Sequence, residues 1–331
     1  MTGERSHMDI HGFLNSYVGN YIVQSFFHSL TAAVLVGALV RLWKIENPLI
    51  VQKFRSLVIL LPLVSFPVYY LLNPIRGNAS FRMSALFDSS RWLDLAQWGM
   101  VPVSLVLISL VIGALLVLAC QELIMLTIQW VQSKKETYPV NAAVQSPVKR
   151  ILRELHAPLL DDYVIESNDQ VLFTTLTGPK PAIVLTSGLL RILSYDQLKA
   201  ALGHEVAHAI RNNSHFLTLL MLIRLLMFYN PVMLFAFKAA SLDEEKICDD
   251  IAAFWTGKPQ VLADTLKRFY IAEEGIGNST VLETAAVSGT NMMIKARVER
   301  LERKASQQVS LPWLKFAFTM LTIVVINYYI V

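Results

Sequence analysis

Charge is scarce in this chain of 331 residues. Asp, Glu, Lys and Arg make up 16% of it, against roughly 25% in an average soluble domain. That shortage argues against an ordinary cytosolic protein. The many apolar residues argue against a disordered one. Cysteine is scarcer still. Cys120 lies in an apolar run and Cys248 in a charged stretch, which excludes a disulfide framework and a cysteine-rich zinc module. No repeat or low-complexity segment is present. No small-residue cleavage site follows the first apolar run, which is too long for a signal peptide.

Apolar residues fill the space that charge leaves. They amount to 54% of the chain, with a mean hydropathy of +0.47, and they come in long blocks, the pattern of a polytopic membrane protein. The net charge is +4. In such a chain that excess is the Lys/Arg bias of cytoplasmic loops, and no nucleic-acid partner is expected.

No charge occurs between Asp9 and Arg41. Within that stretch Tyr21–Val40 is long enough for a spanning helix of about 30 Å. Ser56–Asn73 forms a second run, with Pro62 and Pro67 predicting a kink. A third lies between Asp94 and Glu122 and continues to about Val131. Leu311–Val331 is the last, with Trp313, Lys315, Tyr328 and Tyr329 placed as interfacial anchors. Basic residues gather in loop 41–55, after Lys134, and from Lys295 to Lys304. The positive-inside rule then puts the N-terminus outside and the block before the last helix in the cytoplasm. The expected fold is mainly α: a polytopic transmembrane bundle with a cytoplasmic α+β domain. Residues 1–131 form a membrane region of three transmembrane helices, 132–310 the cytoplasmic domain, and 311–331 a C-terminal transmembrane helix.

In the cytoplasmic block, Val171–Thr177 and Ala182–Ser187 flank Gly178-Pro179-Lys180-Pro181 and read as a β-hairpin. Ser194 to Gln197 is a capping box that opens a helix running to about Arg211. That helix holds His204-Glu205-Val206-Ala207-His208. Histidines four residues apart share one face, so both imidazoles reach one ion, and Glu205 is placed to act as general base on an activated water. The flanking Leu202, Val206 and Ile210 make the helix apolar, and such a helix rarely buries two histidines and a glutamate without a use for them.

A catalytic zinc needs a third protein ligand. Glu245 and Asp249 lie on one face of a downstream acidic stretch, Glu245 as candidate ligand and Asp249 as a carboxylate that orients a ligand histidine. Glu244 is the rival, a solvated acidic helix start is the alternative, and Cys248, off that face, is read as packing. Between His215 and Lys238 the one charge is Arg224. A single membrane crossing there would put Glu245 on the wrong side of the bilayer from His204 and His208. Residues 216–238 are therefore expected to return as a re-entrant or membrane-embedded hairpin, bent at Asn230-Pro231. The site then lies near the membrane surface.

These pieces resemble the membrane gluzincin zinc metallopeptidases, in particular the BlaR/MecR-like antibiotic-sensor receptor peptidases, with kinship to HtpX-like proteases. The matching segments are Thr186–Leu190, Leu198–His208, Tyr229-Asn230-Pro231, Glu245–Asp249 with Ala252, and Arg297-Val298. The resemblance implies His204, His208 and Glu245 as Zn2+ ligands, Glu205 as base and Asp249 as their support. It also implies strand Ala182–Ser187, with Ala182 and Val184, as an edge that aligns an extended substrate, and Arg297 as a transition-state or structural contact. The expected partners are a protein substrate and the lipid bilayer, and a homodimer is compatible with the reading. The substrate would be a transcriptional repressor, or the chain itself within 275–292. A quality-control protease and a non-catalytic zinc-stabilised signalling module are the alternatives. The sensor receptors continue into an extracellular penicillin-binding domain. This sequence ends at Val331, which speaks against direct β-lactam sensing by the chain. His28 and His156 are expected to be structural and Arg224 to snorkel or pair; for His215, which follows the helix, contact with the site is the lesser reading.

Overall fold

The computed structural model describes residues 16–89, 97–98, 101–102, 146–157, 161–165, 172–175, 182–211, 214–274, 281–303 and 312–331, with isolated positions between 109 and 116. Helix α1 (Tyr17–Leu42) starts where Ser16 Oγ accepts the Gly19 N–H at 3.1 Å. Helix α2 (Pro48–Leu72) starts where Asn47 Oδ1 accepts the Leu49 N–H at 3.0 Å, with Pro48 in the first turn where its missing N–H costs nothing.

Pro62 and Pro67 lie inside α2, which runs through both as one assigned helix. Pro67 cannot donate to the Leu63 carbonyl four residues back. The Tyr21 hydroxyl of α1 donates to that carbonyl instead, at 3.2 Å. A 3-10 turn, Pro74–Gly77, and the short α3 (Ala79–Ser84) follow. The chain's last residues come back to this end, where the Val331 N–H donates to the Phe87 carbonyl at 2.9 Å.

Helices α1 and α2 are long and apolar enough to cross a membrane. The expected third span falls almost wholly outside the described residues. Large apolar side chains point outward from the bundle: Leu71 is 78% exposed, Leu72 75% and Leu226 66%. In water such a surface would be an aggregation liability, and in a bilayer it faces acyl chains.

The second half of the chain begins with α4 (Ser146–Glu154) and three strands, β1 (Asp161–Ile165), β2 (Leu172–Thr175) and β3 (Ala182–Thr186). Strands β2 and β3 pair antiparallel, Leu172 opposite Leu185, as the hairpin reading requires. The same β3 also pairs in parallel with β1, so the order is β1-β3-β2. This corrects one expectation. The strand of Ala182 and Val184 is the centre of the sheet, both its edges are taken, and Val184 is 4% exposed. Its backbone has no free ladder to offer a substrate.

After α5 (Ser187–Ile192), Ser194 and Gln197 form the reciprocal capping box. Ser194 Oγ accepts the Gln197 N–H at 3.3 Å, and Gln197 Oε1 accepts the Ser194 N–H at 3.1 Å. They open α6 (Tyr195–Arg211). Its apolar side packs with α4, α5 and β3 around Ile151, Leu185, Leu189, Leu202 and Val206, all fully buried.

Helix α7 (Ser214–Leu226) then leads into the bundle, and α8 (Pro231–Thr256) leads back out of it. The return is made at the expected bend. Asn230 Oδ1 accepts the Val232 N–H at 3.1 Å, while its Nδ2 donates to Ser29 Oγ of α1 at 2.7 Å. Both helices pack on α2, where Ile59, Leu220, Ile223, Met227 and Met233 form a common core. Gly257, at φ +64°, ends α8 in the left-handed conformation that a side chain would disfavour. Helices α9 (Pro259–Glu274) and α10 (Val281–Glu302) complete the domain, and α11 (Trp313–Tyr328) returns to the bundle beside α1 and α2. Because α10 begins at Val281, most of the 275–292 stretch is helical, and a helix is a poor substitute for the extended segment that self-cleavage needs.

Candidate metal centre

Helices α6 and α8 lie against each other. On α6, the ring nitrogens His204 Nε2 and His208 Nε2 stand 3.2 Å apart. From α8, Glu245 brings one carboxylate oxygen to 3.4 Å from His204 Nε2 and the other to 3.5 Å from His208 Nε2. These three side chains are the group among the described residues with ligand atoms converging as a metal site requires. A tetrahedral zinc with ligands at 2.0–2.1 Å separates its ligand atoms by about 3.3 Å. The observed spacings fit that value, and two imidazoles with a carboxylate are a donor set zinc accepts.

Neighbouring groups fix the ligands. His204 Nδ1 donates to Asp249 Oδ1 at 2.9 Å, so Nε2 is the nitrogen that, once it has shed its proton, offers a lone pair to a metal. Asp249, 1% exposed, is itself gripped by Arg297 of α10 through Nε at 2.7 Å and Nη2 at 2.8 Å. The remaining nitrogen of Arg297, Nη1, reaches Glu245 at 3.0 Å. Arg297 thus binds the two carboxylates that serve the ligand histidines, which assigns it a positioning contact.

Electrostatics follow this geometry. Burial works against charge on His204, but its hydrogen bonds to Asp249 and Glu245 outweigh burial and lift it to about 9. Burial likewise raises Glu245, and contacts with His204 and His208 reverse this and hold it far below the usual carboxylate range. The cluster is built to surround positive charge, here a proton and with metal a dication.

The rival carboxylate has other partners. Arg211 grips Glu244 through Nε at 2.7 Å and Nη2 at 3.0 Å, and Gln52 of α2 donates to it at 2.9 Å. Glu244 therefore clamps α6, α8 and α2 together beside the site. The neighbouring Asp243 pairs with Arg55 of α2, and Asp250 with Arg300 of α10 at 2.7 Å.

The sequence reading missed one member. Cys248 Sγ lies 3.4 Å from His208 Nδ1. Burial, reinforced by Glu244 and Glu245, pushes its thiol up, so it stays protonated and uncharged. With His208 Nε2 turned to a metal, Nδ1 carries the proton and the sulfur is its acceptor, in the part that Asp249 plays for His204. The His204/His208 spacing on α6 was the signal that a second partner must exist. Glu205, half-buried, follows His204 on the same helix. The edge strand β2, Leu172–Thr175, also lies beside α6. The side chain of His215 lies outside the described residues. His28 is fully buried, with Nε2 at 3.5 Å from the Ile330 carbonyl, and His156 sits in the turn after α4 at φ +54°. Arg224 stacks over the Phe237 ring at 5.3 Å.

Helix, ligands and supporting carboxylate define a zinc metallopeptidase region. Residues 139–277 match Peptidase family M48. Two proteins with similar segments are both described as Protease HtpX homologs. That of Thermodesulfovibrio yellowstonii is 37% identical over 62 residues, 18% of this chain and 22% of that protein. That of Syntrophobacter fumaroxidans is 36% identical over 75 residues, 21% of this chain and 27% of that protein. The chain thus spans about a quarter of the length of the relatives it matches.

Proposed function

We propose that the protein is an integral-membrane zinc endopeptidase whose active site faces the cytoplasm. The observation that carries this reading is the convergence of His204, His208 and Glu245 around one point, with Glu205 following His204 on the same helix. Zinc, when bound there, supplies Lewis acidity toward a peptide carbonyl and makes a water molecule acidic near neutral pH. Glu205 takes the proton of the attacking water on its carboxylate and delivers it to the departing amine. Asp249 and Cys248 hold the two imidazoles in the tautomer that presents Nε2, and Arg297 keeps Asp249 and Glu245 aligned. An extended substrate aligns on β2, the edge strand next to α6.

The membrane placement draws on α1 and α2 and on the outward apolar surface of the bundle. The proposed organisation is an N-terminal membrane region through residue 131, a cytoplasmic peptidase domain to 310, in which the α7–α8 bend dips into the bundle, and a C-terminal membrane helix. This corresponds to a multi-pass protein of a bacterial inner membrane. For the substrate, the BlaR/MecR-like resemblance favours one cytoplasmic target such as a transcriptional repressor. The similarity to HtpX homologs favours a broader quality-control role on membrane proteins.

The test compares wild type with Glu205→Gln in nanodiscs, with zinc content and cleavage of an unfolded substrate measured on the same samples. Equal zinc with cleavage only by wild type supports the proposal. Equal cleavage by both refutes it. Proteome-wide fragment mapping then separates a single target from a broad spectrum.

A further inference from the structure

Helix α10 turns two arginines toward α8. Arg297 grips Asp249, and Arg300 grips the next residue, Asp250, through Nε at 3.2 Å and Nη2 at 2.7 Å. Residues three apart share one side of a helix, so the two guanidinium forks engage neighbouring carboxylates. The third nitrogen of Arg300, Nη1, points away from that edge of the guanidinium plane and donates to the Glu46 carbonyl at 3.0 Å. Glu46 belongs to the turn between α1 and α2. One side chain therefore bridges α10, α8 and the membrane region.

That turn is held in place. Lys44 takes the left-handed conformation, at φ +51°. The Ile45 N–H donates to the Val40 carbonyl at 3.0 Å, and the Ile45 side chain is buried in one core with Val36 of α1, Phe54 of α2 and Ile323 of α11. The Lys315 ammonium of α11 lies over the Trp43 ring at 5.6 Å. The Glu46 carbonyl is thus a fixed point where three bundle helices meet. Apolar packing holds α10 separately. Its Val298 and Leu301 are buried with Ala252 of α8 and with Leu262 and Ala263 of α9. Such packing is non-directional and leaves small rotations and slides of α10 cheap. The directional bonds of Arg300 are what fix its height and rotation.

We propose that Arg300 is a positioning residue for the metal centre: it sets α10 against a fixed point of the membrane bundle and so holds Arg297 where it meets Asp249 and Glu245. This rests on the zinc-peptidase reading and, for the turn at the inner membrane face, on the organisation proposed above. The route is short. Arg297 stands three residues before Arg300 and contacts Asp249 and Glu245, and Asp249 orients His204 at 2.9 Å. A displacement of the α1–α2 turn passes to a metal ligand through two arginines of one helix. Asp250 has 32% of its side chain exposed, so it stays solvated when its partner is removed and the fold loses little. Lysine is no substitute, since its compact ammonium lacks the planar fork that spans a carboxylate on one side and a carbonyl on the other.

The test uses the full chain, stripped of metal, in nanodiscs. Chelator competition reads zinc affinity, the visible spectrum of the Co2+-loaded protein reads coordination geometry, and thermal unfolding of the metal-free protein reads stability. Arg300→Met keeps the aliphatic stem and removes every donor. Its zinc affinity is expected to fall about tenfold, the lower end for a group that supports a ligand from outside. Its Co2+ bands shift, and its melting temperature stays within about 2 °C of wild type. Arg300→Lys, with the charge but no fork, loses severalfold. Ile45→Ala loosens the turn, so it weakens zinc binding in the wild-type background and adds nothing in the Arg300→Met background. Should Arg300→Met fail to fold, Asp250→Asn, which keeps an acceptor without the charge, decides by the same readouts. Wild-type affinity and spectrum in Arg300→Met, or in Asp250→Asn where it stands in, overturn the proposal. So does full affinity in Arg300→Lys, since charge alone then suffices. A lower melting temperature with unchanged zinc affinity marks a merely structural role and overturns it too, as do Ile45→Ala and Arg300→Met effects that simply multiply. Cleavage plays no part in these readouts, so a chain that binds zinc and cuts nothing defeats the peptidase reading and leaves this one standing.

Discussion

Cys248 and His208 meet across two helices, sulfur to Nδ1 at 3.4 Å, so the two zinc-binding histidines have chemically different supports. His204 leans on a carboxylate that is held in turn by a guanidinium. His208 leans on a neutral thiol.

That asymmetry predicts unequal mutational costs. Asp249→Asn removes the charged support of His204 and leaves Arg297 short of a partner, and zinc affinity is expected to fall about 10–100-fold. Cys248→Ser keeps a neutral acceptor and is expected to stay within about threefold of wild type, with Cys248→Ala falling between the two. Chelator competition on the purified variants measures all three. A Cys248→Ala loss equal to that of Asp249→Asn would refute the asymmetry.

The clamp of Arg211 on Glu244 makes a separate prediction. Arg211→Ala strands a carboxylate that is 4% exposed, and removing one partner of a buried pair costs about 3–5 kcal/mol. Gln52 still donates to Glu244, so the lower end of that range is expected. Thermal unfolding gives the stability. Zinc content should drop with it, since the clamp sets the distance between α6 and α8. An Arg211→Ala protein with unchanged melting and full zinc would contradict this.

Zinc uptake should depend on pH in a defined direction. In the metal-free fold the His204 imidazole is raised from 6.5 to about 9. Its protonated form therefore stabilises that fold fully below pH 6.5, and this contribution is lost as pH rises to about 9. Zinc must displace the same proton, so zinc affinity should climb between these values and level off above them. A pH-independent affinity over that interval would show that His204 is already neutral in the metal-free protein.

Much of the site was legible because its signals are local. The i, i+4 histidines, the Ser194–Gln197 capping box and the Asn230-Pro231 bend each depend on residues within one or two turns of each other. The bend also had to exist, since otherwise Glu245 could not meet His204. What sequence did not reveal depends on partners from elsewhere in the chain. Cys248 was set aside because it does not share a helix face with Glu245, but its partner is on α6. The strand of Ala182 and Val184 reads as half of a hairpin, and only the parallel pairing with Asp161–Ile165 turns it from an edge into the centre of the sheet. Gln52 lies in the second turn of α2 with no motif around it, and its role emerges only once α2 is laid beside α8.

The rod-like continuity of α8 has a practical consequence. Its first turns, at Pro231–Phe237, are wedged among the bundle helices, and its fifteenth and nineteenth residues, Glu245 and Asp249, carry the acidic half of the metal site. A tilt of a few degrees at the buried end swings Glu245 by a sizeable fraction of a bond length relative to histidines mounted on a different helix. Metal occupancy should therefore report the lateral pressure of the surrounding medium, and the choice of detergent or lipid for purification becomes a variable of the chemistry itself.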